Sequence, residues 1–340
     1  MTARRADGTA LAALGALIAL AWWPVLAGHA VFAYDDFVYW FVPARRLVEQ
    51  ALRGGGVAEW DAWVGLGQPL VVNSGAAPLY PLNVLALLGD WPLGLHRMIV
   101  AHLFLGGAFT YALARDLGAR PVAAWVAAVG FAFAGPVVGY AQENPYHLFG
   151  LVWVPLVVLA FRRGLRDGGR RAPIAAGAAM ALVLYGGEPL GWYFTVALLL
   201  AVATARVVAG ESTPGRAAAQ LVAVVGVAVV LAAPQWASST VGLAESARGQ
   251  GLPEAVRFAY SFHPGRLPGL LLPLFGGAPA PTNSAWAAGF EGAHRTWFVS
   301  VYVGLAAWIF APAALRPGRS MAWALAGASA LFVWLGLGRF

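Results

Sequence analysis

Long apolar runs recur along this chain, and they restrict its fold more than any other feature of the sequence. An α-helix rises about 1.5 Å per residue, so roughly 20 apolar residues are needed to cross the hydrocarbon core of a bilayer. Runs near that length occupy approximately residues 10–30, 97–114, 121–140, 147–161, 172–186, 190–208, 217–236, 297–314 and 320–337. The sequence therefore predicts an all-α, polytopic membrane protein with about nine spans.

The composition agrees with this fold class. Charged residues make up 11% of the 340 residues, whereas soluble domains carry about 25%. The chain contains 42 glycines, which favour close packing of membrane helices, and 15 tryptophans, which favour the membrane interface. We expect one transmembrane domain over residues 1–340 with no separate soluble core, and we expect this domain to be the N-terminal portion of a longer protein.

The basic residues indicate topology. The net charge is +7 and all 22 basic residues are arginines, but they are scattered between the apolar runs rather than gathered in one patch. A nucleic-acid partner is therefore not expected. The arginine-rich loop at 162–171 predicts a cytoplasmic N-terminus. A cleaved secretory signal is the alternative for the first run, whose length favours an uncleaved helix. The absence of cysteine excludes disulfides, thiolate metal sites and a cysteine nucleophile.

Two long segments, at about 31–96 and 237–296, lie on the face opposite to the arginine-rich loop in this topology. Loops of this length usually have a function. The same face carries short turns around Glu143 and Glu188, so most acidic residues of the chain lie there. The apolar piece 267–277 is too short to span, which predicts a re-entrant or surface element over a cavity. We interpret this outer face as the working face.

Asp35 and Asp36 follow the first apolar run directly. Ionised carboxylates are costly in hydrocarbon, so this pair is predicted to lie in the first outer loop, close to the lipid surface. Residues 37–52 have the periodicity of an amphipathic helix, and Asp36 is well placed to cap it. We therefore expect Asp36 to be the cap and Asp35 to be a catalytic base, although both carboxylates are candidates.

Several motifs occur in an order that resembles the bacterial YfhO-like membrane protein family, in the wider GT-C class of glycosyltransferases that use polyprenyl-phosphate sugars. The matching pieces are Tyr34-Asp35-Asp36, Trp63 with Gly65-Leu66-Gly67-Gln68-Pro69, Pro78-Leu79-Tyr80-Pro81, Ala233-Pro234-Gln235, Ser261-Phe262-His263-Pro264-Gly265-Arg266-Leu267 and Tyr302-Val303-Gly304. Each piece is short, and it is their order over most of the chain that carries the resemblance.

The resemblance implies a GT-C-like helical bundle in the bacterial cytoplasmic (inner) membrane. It also implies an inverting transfer of a sugar from a polyprenyl-phosphate carrier to an outer-face acceptor in the cell envelope. In that class an aspartate of the first outer loop is the general base or organises the donor site, and it corresponds here to Asp35 or Asp36. The partners would be the lipid-linked donor, the acceptor and the bilayer.

Other outer-face residues are candidates for substrate binding. A lipid-phosphate leaving group needs fixed cations, which arginines of this face such as Arg248 and Arg266 could supply, and Arg266, beside His263, is the best candidate. Contact with lipid headgroups is the more frequent explanation of such arginines. Glu143 and Glu188 either line the cavity or are simply solvated. The remaining candidates are His263, Tyr80 and Gln235.

Metal and nucleotide chemistry find less support in the sequence. His147 and His263 have the character of satisfied loop histidines, because no metal-ligand spacing occurs, and a role for a divalent cation stays open. Gly54-Gly55-Gly56 lacks the lysine of a phosphate-binding loop, so a lipid-linked donor fits better than a nucleotide sugar. Two other function classes are kept: a lipid or sugar transporter or flippase, and a non-catalytic envelope-assembly protein.

Overall fold

A computed structural model describes residues 2–34, 36–259, 261–277 and 300–338, and these residues are mostly helical. The helices are α1 (Thr2–Ala21), α2 (Trp23–Leu26), α3 (Val42–Arg53), α4 (Leu93–Asp116), α5 (Pro121–Ala132), α6 (Gly135–Gln142), α7 (Pro145–Leu151), α8 (Val154–Asp167), α9 (Arg171–Tyr185), α10 (Pro189–Val208), α11 (Pro214–Leu231), α12 (Ala233–Glu245), α13 (Glu254–Arg257), α14 (Leu305–Ala314) and α15 (Ser320–Gly336). Within the described residues, strands are limited to the antiparallel pair β1 (Trp60–Asp61) and β2 (Gln68–Pro69).

Within the residues that the structure describes, four helical stretches are long and apolar enough to cross a membrane: α4, α10, α11 and the continuous stretch formed by α7 and α8. A fifth span results if α5 and α6, which bend by 44°, are counted together. The apolar helices α9, α14 and α15 are shorter. The structure thus supports an all-α membrane protein with four to five candidate spans, while the expected nine remain a prediction.

Small residues let the helices of the bundle approach closely. A Cβ added to Gly106 on α4 would lie 2.6 Å from the ring of Phe131 on α5, and one added to Gly177 on α9 would lie 2.6 Å from Val227 on α11. In lipid, helices associate mainly through such close van der Waals packing. The glycine content that indicated a membrane protein is therefore used at helix contacts.

One end of the bundle, which we call the arginine-rich end, is held by ion pairs. Arg115 contacts Asp7 at 2.8 Å, and Arg206 pairs with Glu211. Asp116, at the end of α4, accepts contacts from three arginines of α8: Arg162 at 3.3 Å, Arg163 at 3.0 Å and Arg166 at 3.3 Å. The carboxylates tie neighbouring helix ends together at the face where the sequence places the cytoplasmic loops.

The opposite end, which we call the loop-rich end, carries the first residues of α4, α7 and α10. A π-helical turn at Phe37–Phe41 leads into α3, and short 3-10 turns follow at Leu70–Val72, Ser74–Ala76 and Pro81–Leu87. The second segment adds α12, α13 and a 3-10 helix at Pro264–Leu270. The two long segments thus form short helical elements rather than plain linkers.

A buried arginine fastens the first of these segments to the bundle. Arg45 on α3 donates through Nη1 to the carbonyl of Ala76 (2.9 Å) and through Nη2 to Oδ1 of Asn83 (2.6 Å). Its guanidinium also lies over the rings of Phe41 and Phe149, 5.9 and 5.7 Å from their centroids. Burial lowers the pKa of Arg45 to about 10, so the group remains charged at neutral pH.

The orientation of the bundle gives the first prediction. Because the sequence has no cysteine, single cysteines report position without background labelling. Leu66 and Glu254 are exposed at the loop-rich end and Arg170 is exposed at the arginine-rich end. In intact cells, an impermeant thiol reagent should label Leu66→Cys and Glu254→Cys but not Arg170→Cys. All three should react after the membrane is permeabilised, and the reverse pattern in intact cells would invert the orientation.

Candidate functional site

A buried carboxylate lies at the centre of the loop-rich end. Glu188 caps α10, and its Oε1 accepts a hydrogen bond from the backbone N–H of Gly191 at 2.8 Å. Its Oε2 contacts Nδ1 of His147, which comes from the first turn of α7. A negative group is favourable at a helix N-terminus because the unpaired N–H groups and the helix dipole stabilise it. Glu188 therefore has a structural reason for its position and a histidine partner.

Glycines allow the backbone to close tightly around Glu188. Gly187 has a φ of +103°, and a Cβ there would lie 2.8 Å from the carbonyl oxygen of Ser74 and 2.9 Å from Cβ of Tyr146. A Cβ at Gly186 would lie 2.6 Å from the amide nitrogen of Gly150. The turn between α9 and α10 is thus pressed against the start of α7 and against the first outer segment.

Aromatic rings surround the histidine of this pair. The ring centroid of His147 lies 4.1 Å from that of Tyr146 and 4.8 Å from that of Tyr140. Trp40, in the π-helical turn, meets Tyr146 edge to face at 5.7 Å. These contacts join the first outer segment, α6 and α7 around the imidazole.

The charged candidates of the outer face converge on the two tyrosines. Glu188, Asp36 and Arg248 all lie close enough to act electrostatically on Tyr146. Glu188 and Glu143 act in the same way on Tyr140. The acidic–aromatic cluster is our name for Asp36, Tyr140, Glu143, Tyr146, His147 and Glu188 together with Arg248. Four of the residues predicted from the sequence, Asp36, Glu143, Glu188 and Arg248, thus lie within electrostatic range of one or both of these tyrosines.

Solvent access differs within the cluster. Asp36 and Arg248 are exposed, whereas Glu143 and Glu188 are 5% and 8% exposed. His147 and Tyr146 are intermediate. The cluster therefore combines an exposed carboxylate and an exposed guanidinium with a glutamate that is buried against its histidine partner.

The expected capping role of Asp36 is wrong in this structure. Asp36 has helical backbone angles (φ −53°, ψ −25°), and no side-chain capping hydrogen bond forms within the described part of this helix. The helical turn begins before Asp36, because the N–H of Phe37 donates to the carbonyl of Tyr34. A side chain caps best from an extended residue just before the helix, which Asp36 is not. Asp35 lies outside the described residues.

Tyr80, a candidate for substrate binding, lies in the core. Its side chain is 1% exposed and stacks on Phe149 with the ring centroids 5.8 Å apart. Its hydroxyl lies 2.7 Å from Nε2 of His102 and accepts a hydrogen bond from Trp153 at 2.9 Å. Burial raises the pKa of Tyr80, so the phenol is neutral. These contacts give Tyr80 a packing role beneath the site.

Gln235 is also buried, at 0% exposure, near the start of α12. Its Nε2 donates to the carbonyl of Val71 (3.1 Å) and to Ser239 (2.9 Å). The side chain thus binds α12 to the 3-10 turn of the first segment. Its hydrogen bonds position the two long segments relative to each other, and the side chain is closed to solvent.

Arg266 and His263 belong to the 3-10 helix of the second segment. Arg266 is 7% exposed and lies over the ring of Phe262 at 5.9 Å, and Nδ1 of His263 accepts from the N–H of Gly265 at 3.0 Å. The N–H of Phe262 donates to the carbonyl of Gly336 at 2.8 Å, which attaches this segment to α15. Of the two expected phosphate ligands, Arg248 is therefore the exposed one and Arg266 the buried one.

Sequence reasoning missed the pairing of His147 with Glu188 and the part played by Tyr146. The two partners are 41 residues apart, so no local pattern joins them. One signal was present: Pro145-Tyr146-His147 and Gly186-Gly187-Glu188 both stand at predicted span ends on the same face. Among the described residues, no group of three or more histidine, aspartate and glutamate side chains is arranged to hold a metal ion.

No family model, no curated protein and no solved structure matches this chain. The resemblance drawn from its motifs therefore stays an expectation. Function has to be argued from the site itself.

The tight glycine turn beside Glu188 gives the second prediction. Gly187→Ala places a Cβ against Ser74 and Tyr146 in addition to straining the backbone, so it should destabilise the protein by at least about 3 kcal/mol. Gly210→Ala is the matched control, since Gly210 also has a positive φ (+71°) after a helix but open space around it. It should cost only about 1–2 kcal/mol. Thermal unfolding in detergent compares the two, and equal losses would show that the turn is not tightly packed.

Proposed function

We propose that this protein is a membrane glycosyltransferase that transfers a sugar from a polyprenyl-phosphate carrier to an acceptor hydroxyl at the loop-rich end. The observation that carries the proposal is the convergence of Asp36, Glu188 and Arg248 around Tyr146. A carboxylate for the acceptor proton and a cation for the leaving phosphate are the two groups that such a transfer needs. They stand here at the end of a bundle that a lipid-borne donor could reach.

Asp36 is the candidate base. Its carboxylate is exposed, so it can accept a proton from an acceptor hydroxyl that lies within hydrogen-bond reach. In an inverting transfer, the acceptor oxygen attacks the anomeric carbon, its proton passes to the carboxylate, and the bond from the anomeric carbon to the carrier phosphate oxygen breaks. Asp35 is the adjacent alternative for the same role.

Arg248 is the better placed of the candidate cations. It is exposed, and its charge reaches the same tyrosine as that of Asp36. A guanidinium can bind phosphate oxygens through two parallel N–H donors and so stabilise the charge that develops as the phosphate leaves. Arg266 remains the second candidate, although its burial over Phe262 favours a role in holding the 3-10 helix.

Glu188 and His147 are positioning residues in this proposal. Glu188 contacts Nδ1 of His147 and caps α10 at the same time, so it fixes the plane of the imidazole. The opposite edge of the ring lies among Tyr140 and Tyr146. A fixed imidazole beside two aromatic rings is suited to hold a sugar, whose apolar ring face and hydroxyl groups need both kinds of contact.

The setting of the site agrees with a lipid-linked donor. The apolar helices place the cluster at a membrane face, where a polyprenyl chain stays in the hydrocarbon and its phosphate reaches the interface. We place the protein in the bacterial cytoplasmic membrane with the loop-rich end outside, on the arginine distribution and the motif resemblance. The acceptor would then be an envelope polymer, lipid or protein, and a divalent cation stays open as an additional phosphate ligand.

The main test, and the third prediction, replaces the carboxylates by amides. Asp36→Asn keeps the size of the side chain but removes proton acceptance, so it should lower turnover about 10²- to 10⁴-fold. Asp90→Asn is the matched control, an exposed aspartate of the same outer segment outside the cluster. The measurement is sugar transfer by reconstituted protein with a panel of polyprenyl-phosphate sugars. Asp35→Asn and the double variant complete the set, and full activity in all of them would reject the aspartate base.

The fourth prediction concerns the carrier phosphate. Arg248→Ala should raise the KM for the donor about tenfold through loss of a charge-assisted contact, and Arg248→Lys should restore part of it. Arg257→Ala is the control, since Arg257 is another exposed arginine of the same segment and donates to the carbonyl of Leu252. Equal donor kinetics in the two alanine variants would assign Arg248 to ordinary headgroup contact.

One observation keeps transport as the alternative. The 44° bend between α5 and α6 marks either a broken span or a re-entrant loop, and broken helices are typical of secondary transporters. Movement of the lipid-linked sugar across the membrane of the same proteoliposomes, without acceptor, separates the two functions. Movement that persists in the Asp36→Asn variant, with no transfer in the wild type, would favour the transporter.

A further inference from the structure

A cavity opens at the arginine-rich end, at the opposite end of the bundle from the acidic–aromatic cluster. Its volume is about 640 Å³, within the range of ligand sites. Three arginines line it: Arg162 near the end of α8, Arg206 near the end of α10, and Arg319 in the turn between α14 and α15. Glu211 is the one acidic residue in its lining. The cavity is thus cationic and lies between the ends of the bundle helices and the α14–α15 hairpin.

The charges of this cavity are only partly neutralised within the protein. Arg162 contacts Asp116 and Arg206 contacts Glu211. Nε of Arg206 is buried and has no hydrogen-bond partner among the residues that the structure describes. Arg319 is exposed at the rim. Arg162 shares Asp116 with Arg163 and Arg166, so the cavity keeps an excess of positive charge that an anion would balance.

An apolar slot continues from the cavity into the bundle. It has a volume of about 140 Å³ and shares Leu117, Arg162, Met321 and Leu325 with the cationic cavity. Apart from Arg162, its lining is hydrophobic, contributed by α4, α5, α7, α8, α10 and α15. Its size suits the first part of an acyl chain, with the rest lying along the lipid-facing surface.

We propose that this cavity and slot form a binding site for one anionic phospholipid. The phosphate lies among Arg162, Arg206 and Arg319, and an acyl chain enters the slot past Leu325. Basic pockets between membrane helices on the cytoplasmic side are suited to anionic headgroups. A free phosphate would use the arginines but not the apolar slot, and a zwitterionic lipid would leave the excess positive charge unmatched. The lipid would join α15 to α8 and α10, and this role does not depend on the chemistry proposed for the other end.

The fifth prediction is a binding experiment with short-chain phosphatidylglycerol on the detergent-purified protein, read by native mass spectrometry and by the shift of the melting temperature. Binding should be at least about tenfold tighter than that of short-chain phosphatidylcholine. The double variant Arg206→Gln/Arg319→Gln should lose about tenfold, because it removes two charge-assisted contacts. Leu325→Trp should lose a similar factor by filling the slot. Arg120→Gln, an exposed arginine of the same end that lines neither space, should bind like the wild type.

Several outcomes would overturn the proposal. Equal binding of the two lipids would remove the role of the charge, and unchanged binding in both the double variant and Leu325→Trp would place the lipid elsewhere. Glycerol phosphate or inorganic phosphate that binds and stabilises as well as the lipid would identify a free-phosphate site. If the double variant fails to fold, Arg319→Gln and Leu325→Trp decide, because Arg319 is exposed and contributes little to packing.

Discussion

The outer layer of this protein depends on a positive charge buried beneath it. Arg45 is 1% exposed, and its Nη groups donate to carbonyl oxygens, to the side-chain oxygen of Asn83 and to the sulfur of Met98, while two aromatic faces lie beside it. Its Nε has no hydrogen-bond partner within the described residues. Because burying a cation is expensive, this arrangement tolerates little loss of the acceptors that Nη1 and Nη2 do have. The loop around Ala76 and Asn83 supplies these acceptors, and it consists of short 3-10 turns. The hydrogen bonds of the guanidinium thereby hold this glycine- and proline-rich loop in a fixed position.

The candidate site is built on that surface. Asn83 donates back to the carbonyl of Ala77 at 2.8 Å, which holds the loop beside α3. The same loop presents Ser74 and Gly75, which lie against Gly187 and under Trp40 respectively. Gly187 precedes Glu188, and Trp40 packs on Tyr146. The position of the glutamate–histidine pair relative to Asp36 is therefore set by packing that begins at Arg45.

The sequence predicted the parts of this arrangement that depend on local pattern. Phe37, Phe41, Ala44 and Val48 form the buried face of the helix after the first run, as their spacing indicated. The same pattern gave no reason to bury Arg45 or Glu49, yet both are buried. Arg45 is explained by its contacts with a distant loop, whereas Glu49 forms ion pairs with Arg46 and Arg53 of its own helix. The spacing of apolar residues predicts which face of a helix is buried. It does not predict which polar residues on that face are also buried, because tertiary contacts decide this.

The same reasoning explains what was and was not foreseen at the two ends of the bundle. Counting charges separated an acidic face from a basic one, because ionisable groups are excluded from the hydrocarbon and must collect at helix ends. Which of them meet is decided by how the helices pack, and that rests on close approaches such as those at Gly177 and Gly187. Asp116 therefore forms ion pairs with three arginines of α8, whereas Arg206 and Arg319 line a cavity together with one glutamate. A bundle that concentrates carboxylates and aromatic rings at one end and arginines at the other therefore has two chemically different ends, and this difference follows from where ionisable groups can lie along apolar helices.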